Sequence, residues 1–132
     1  MAGYRTEGGG KEYVVGTSDS KRDALYRGAF SPFHNSSNFD KYNLLFEIHS
    51  HFGPGATQGA SYGYSKSDMG SIRYTYNDYL NKGLPTQAGK GFPRYYVYAA
   101  NTHKLFNFTP WKSSVFIRNI NTSGDLYRNL SF

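Results

Sequence analysis

Two histidines and an aspartate carry the most concentrated chemistry in this chain. The stretch "FEIHSHFGPGATQGASYGYSKSDMG", Phe46 to Gly70, sets His49 and His51 two residues apart at the end of an apolar run. A glycine-rich connection follows, and then Ser65-Lys66-Ser67-Asp68. In an extended strand residues i and i+2 share a face, so the two imidazoles stand side by side and offer a bite for one divalent ion. Imidazole suits zinc, a carboxylate is a frequent third ligand, and a fourth position left to water makes such a site catalytic. Asp68 is available as the third ligand. The same residues also fit a plainer role, because Ser65-x-x-Asp68 before an apolar stripe is close to a capping box. Ser65 would then be the N-cap, with Asp68 at N3 favoured by the helix dipole. Pair and cap together, joined by a loop able to fold the helix start back over the strand end, are more specific than either alone.

The elements that must position these groups follow from periodicity. Residues 43–51, "NLLFEIHSH", predict a strand that turns polar at its C-terminal end. Glycines at 53, 55, 59 and 63 predict a mobile connection over residues 52–67. From Ser65 onward Met69, Ile72, Tyr76, Tyr79 and Leu80 recur at spacings of three and four, the stripe of a helix lying on a sheet, and Gly83 and Pro85 stop it. Upstream, residues 11–16 and 24–31 predict an antiparallel pair, followed by a loop in "PFHNSSNFDKY". Downstream, residues 94–100 and 104–108 predict a hairpin around an Asn-Thr-His turn. The tail predicts a final strand in "SSVFIRNI" and a short helix in "DLYRNLSF". This order gives an α/β (α+β) class, a sandwich with a mixed, largely antiparallel sheet and few helices. The 132 residues fit a single domain, 1–132, which the sequence allows to be a part excised from a longer protein.

Composition narrows the chemistry. Aromatic residues make up 18% of the chain, with 13 Tyr and 10 Phe, so the core is built from rings that carry polar tips and its buried hydroxyls need partners. Cysteine is absent, which removes disulfides, thiolate ligands and a cysteine nucleophile, and leaves any metal to His, Asp or Glu. The net charge of +6 is scattered along the sequence and reads as a solvated surface or protein contact, without a specific nucleic-acid site. No apolar run approaches ~18 residues and no signal-peptide pattern opens the chain, so no membrane partner is expected.

The motif His49-Ser50-His51 with Ser65-Lys66-Ser67-Asp68 resembles the signature of the JAMM (MPN+) zinc metallopeptidases. Aromatic-rich variants on this plan look like the JAB-like domains at the C-termini of bacterial polymorphic toxins of the Rhs type. The resemblance implies a JAMM/MPN-like, cytidine-deaminase-like sandwich in which His49, His51 and Asp68 bind Zn2+ with a water. It also implies that Ser65 stabilises the oxyanion and that an upstream glutamate acts as general base. Glu7, in "TEGGGKEYVVG", fits the family's form of a glutamate followed by glycine after two intervening residues. Glu12 is the alternative general base because it opens the first clear strand, and Glu47, on the strand face of both histidines, is a third candidate.

The activity implied is hydrolysis of peptide or isopeptide bonds in a protein or peptide substrate, in the setting of a toxin effector domain. That setting implies an immunity protein as partner and delivery within a larger bacterial toxin into a target cytoplasm. Phe52 stands where the family usually has proline, and the following loop is longer than usual, departures that bear on substrate choice. Other His-x-His enzymes on (β/α)-barrels need about 250 residues, and zinc nucleobase deaminases need Pro-Cys-x-x-Cys. The alternatives that stay open are a metal-dependent nuclease toxin, with His34 read as a loop residue and His103 as a turn residue, and a catalytically silent JAMM-like binding module.

Overall fold

The computed structural model describes residues 1–15, 40–51, 66–86, 91–99, 102–110 and 112–120, with the backbone alone at His51, Lys66, Ser67, Phe108 and residues 112–118. Strands β1 (Ala2–Arg5) and β2 (Lys11–Val14) come first. A 3-10 turn (Lys41–Asn43) leads into β3 (Leu44–His51), and α1 (Lys66–Asn81) follows. Strands β4 (Arg94–Ala99), β5 (Lys104–Thr109) and β6 (Lys112–Asn119) end the described chain. They form a mixed six-stranded sheet in the order β2-β1-β3-β4-β5-β6, parallel between β3 and β4 and antiparallel at the other pairings. The class is therefore mixed α+β. A parallel pair needs a crossover, and among the described residues α1 lies between β3 and β4.

Local sequence explains the ends of α1. Asp68 lies in its first turn, the place where a carboxylate meets the positive end of the helix dipole. At the other end Gly83 has φ +65°, its N–H donates to Leu80 O at 3.0 Å, and Leu84 N–H donates to Tyr79 O at 2.9 Å. This is a Schellman arrangement, which glycine adopts without strain. Tyr79 OH donates to Lys41 O at 2.9 Å and Tyr42 OH donates to Asp78 Oδ2 at 2.9 Å, so the last turns of α1 are tied to the 3-10 turn that starts β3. Helix and strand therefore run antiparallel, and the first turn of α1 returns to the end of β3.

Burial divides between the two faces of the sheet. Met69, Ile72 and Tyr79 of α1 pack on Phe92, Tyr95 and Val97, with the rings of Tyr79 and Phe92 edge-on at 5.3 Å. A second cluster, Phe46, Ile48, Tyr96, Leu105 and Ile120, alternates with the first along β4, where Tyr96 stands between Tyr95 and Val97, and so occupies the opposite face. Between Gly3 and Tyr4 the β1–β3 register shifts, so that Gly3 pairs with Phe46 while Tyr4 pairs with Leu44. This bulge lets Leu44 join Ala2, Tyr4 and Val14 in a third buried cluster while Phe46 joins the second.

The expected strand, helix and hairpin are present at residues 44–51, 66–81 and 94–109, and the expected tail strand corresponds to β6. Two expectations change. Residues 2–5, which show no strand period, form β1 and supply the described partner of β2. Leu80 was expected in the buried stripe but is 50% exposed; Tyr79 is already level with Lys41, ahead of the first residue of β3. The expected strand at residues 24–31, the connection at residues 52–65, His34 and the short terminal helix lie outside the described residues. Among the described residues no helix is long and apolar enough to cross a membrane.

Candidate metal centre

Strand register determines what faces α1. Glu47 and His49 pair with Tyr95 and Val97 of β4, so their Cβ atoms share the face whose apolar members pack under the helix, and the backbone of His51 pairs with Ala99. From the other side, the first turn of α1 brings Asp68 to this strand end. His49 Nε2 lies 3.3 Å from Asp68 Oδ1, with both side chains mostly buried. Two atoms bound tetrahedrally to one zinc at 2.0–2.1 Å stand about 3.3 Å apart by simple trigonometry. The separation therefore suits two ligands of one ion, and His51 is two residues further along the same strand. Its side chain lies outside the described set, as does Ser65, which immediately precedes the first residue of α1. Among the described side chains no group of three His, Cys, Asp or Glu gathers into a metal site.

The three glutamates separate clearly. Glu47 is two residues before His49 on the same face, roughly 6.6 Å along the strand. Glu7 lies in the turn between β1 and β2. Because Tyr4 pairs with Leu44, five residues before His49, that turn is beyond the opposite end of β3, at least roughly 16 Å away at the strand rise. Glu12 pairs with Tyr4 at the same level and is two strands from β3. The structure thus brings Glu47 toward His49 and Asp68, and it brings neither Glu7 nor Glu12 there. The physical reason is direction: β1 runs antiparallel to β3, which carries its C-terminal turn away from the histidines.

The floor beside Glu47 is phenolic. Burial pushes the hydroxyls of Tyr4 and Tyr95 well above the ordinary tyrosine range, and the charge of Glu47 adds to both shifts. A hydrogen bond with Thr75 of α1 partly offsets the shift at Tyr95. Both remain neutral hydroxyls at any ordinary pH. Sequence reading did not associate them with the site, since only the pairing of β1 and β4 with β3 brings them to Glu47.

Further anchors hold α1 in place. Arg73 Nε donates to Pro110 O at 3.2 Å, and Lys41 Nζ lies 2.8 Å from Asp78 Oδ2. The bond from Lys41, followed by that from Tyr42, holds the Asp78 carboxyl below its usual range.

His103 does not join the centre. It is a turn residue, as expected, with φ +51°, and its Nδ1 lies 3.0 Å from the hydroxyl of Tyr98. Tyr98 pairs with Ser50 and so belongs to the sheet face opposite His49. Compared with protein-family models, with curated protein sequences and with solved structures, the chain gives no match.

Proposed function

We propose that this chain is a zinc-dependent hydrolase of peptide or isopeptide bonds on a JAMM-like plan. The observation that carries the reading is the 3.3 Å approach of His49 Nε2 and Asp68 Oδ1 across a strand end and a helix start, with His51 two residues further along the same strand. His49, His51 and Asp68 would hold the ion. When bound there, zinc would supply Lewis acidity and lower the pKa of a water toward ~7.

The protein's own part is positioning and proton transfer. Glu47, on the strand of the histidines and the face of His49, is better located as general base than Glu7 or Glu12. Its carboxylate takes a proton from the attacking water and passes it to the leaving nitrogen as the C–N bond breaks. Ser65 donates a hydrogen bond to the developing oxyanion, the role given by the resemblance. A toxin effector setting with an immunity partner rests on that resemblance alone.

The same contact also suits a catalytically silent module, because a protonated His49 and Asp68 at 3.3 Å form an ion pair. Metal analysis separates the two. The hydrolase reading expects one zinc per chain, lost in Asp68→Ala and in a His49→Ala/His51→Ala double variant, together with cleavage in a screen of peptide and isopeptide substrates. Zinc undiminished in those variants would remove the proposed site.

A further inference from the structure

Glycine is a poor residue for the interior of a helix, and Gly70 stands in the second turn of α1. Its backbone is helical, it is exposed, and an added Cβ would meet nothing within 4 Å. Neither a turn nor a close approach inside the molecule asks for glycine here, so the bare position points outward. One turn further on, Tyr74 is 75% exposed.

Gly70 and Tyr74 belong to one stripe with Asn77 and Asn81, because spacings of four, three and four keep residues on one side of a helix. All four are exposed, while Ile72 and Tyr79, on the opposite side, are buried against the sheet. A helix side turned to water ordinarily carries charges. This stripe carries an aromatic ring, two carboxamides and a gap. The charges that flank it are engaged with neighbours: Arg73 Nε donates to Pro110 O, and Asp78 accepts from Tyr42 and pairs with Lys41. Tyrosine without surrounding charge is the composition of the middle of a protein interface.

A ring and a gap four residues apart on one helix are complementary to themselves. When a second α1 lies antiparallel across the first, about a two-fold axis level with residue 72, each Tyr74 enters the gap over the other copy's Gly70 and the i, i+4 ridges interdigitate. Charge favours the same occupant. Each copy carries +6 and repels another in general, so a stripe whose four residues are uncharged lets two copies touch without setting like ions against each other. We propose that this side of α1 is a docking face for a second copy of the chain, with the Tyr74 of each copy seated on the Gly70 of the other and Asn77 and Asn81 beside them. A helix about 24 Å long offers less than the ~800 Å² per partner of a standard interface, so the dimer is weak and reversible. The face is turned away from the sheet and from the metal centre.

The test is sedimentation velocity of the full chain over a concentration series reaching about 1 mM, where a monomer–dimer equilibrium is expected. Gly70→Tyr fills the gap, Tyr74→Gly removes the ring, and Asn77→Lys sets like charges into the stripe. Each should weaken association about tenfold or more, with circular dichroism at low concentration showing the fold retained. The double variant Gly70→Tyr/Tyr74→Gly exchanges ring and gap, which again face each other across the two-fold axis, and it should recover the association. A role confined to the folded monomer would not give that recovery. A chain that stays monomeric at every concentration would overturn the proposal. Association that Tyr74→Gly and Asn77→Lys leave unchanged, or that the exchanged variant fails to recover, would do the same.

Discussion

The ring of Phe46 lies across Gly3, so close that a β-carbon on Gly3 would collide with Phe46 Cε1. Phe46 is 1% exposed and Gly3 is its partner across the β1–β3 pair, which leaves the ring little room to retreat. Gly3→Ala should therefore destabilise the protein by about 1–3 kcal/mol, the usual range for overpacking. Gly70→Ala is the control. That glycine is inside α1 with nothing within 4 Å of an added Cβ, and alanine there should stabilise by about 0.5–1 kcal/mol. Urea unfolding of the two variants should give shifts of opposite sign.

Glu47→Gln should keep zinc bound and lose hydrolysis by about 10²- to 10⁴-fold, because the amide preserves shape and cannot accept the water's proton. Glu7→Gln and Glu12→Gln should change little, since both residues lie at or beyond the far end of β3. Parallel measurements of bound zinc and turnover in the three variants decide the matter. Full activity of Glu47→Gln would exclude Glu47 as the base.

Tyr4, Tyr79 and Tyr95 should resist ionisation until the protein unfolds. Burial raises each hydroxyl well above the ordinary value of 10.0. The unfolded chain gives up these protons first, so the stability they contribute is complete below pH 10 and is lost as pH climbs toward the folded-state values. Phenolate absorbance should show these three of the 13 tyrosines titrating together with the loss of circular dichroism. Their ionisation in the folded protein at the ordinary pH would contradict this.

Asp78 acts on the acid side. Its carboxyl is held below the ordinary value of 3.8, first by Lys41 and then by Tyr42. The contribution to stability is present above 3.8 and disappears as pH falls through the lowered folded-state value. Asp78→Asn should flatten that part of the stability profile. Thermal melts of both proteins across the acid range provide the check, and identical slopes would count against the assignment.

Much of the scaffold is legible in the chain. The period of Met69, Ile72, Tyr76 and Tyr79 gives α1, and the apolar run before His49 gives β3, because these elements bury one regular face each. The neighbourhood of His49 and Asp68 is legible for a similar reason, since a strand end and the next helix start are joined by one connection. β1 is not, because four residues including Gly3 carry too little pattern to announce a strand. Pairing between distant segments is equally hidden. Choosing among Glu7, Glu12 and Glu47 depends on the direction of β1.

The parallel pairing of β3 with β4 also dictates when the protein can become itself during synthesis. A ribosome releases β1, β2, β3 and α1 first, and at that moment Ile72 and Tyr79 have yet to meet Phe92, Tyr95 or Val97. The apolar side of the helix and one whole edge of β3 must wait for residues 94–99 to emerge. β4 pairs with β5 and β5 with β6, neighbours in sequence that can close quickly. A nascent chain halted before β4 would therefore present an open edge of β3 and the apolar side of α1, surfaces of the kind that chaperones cover.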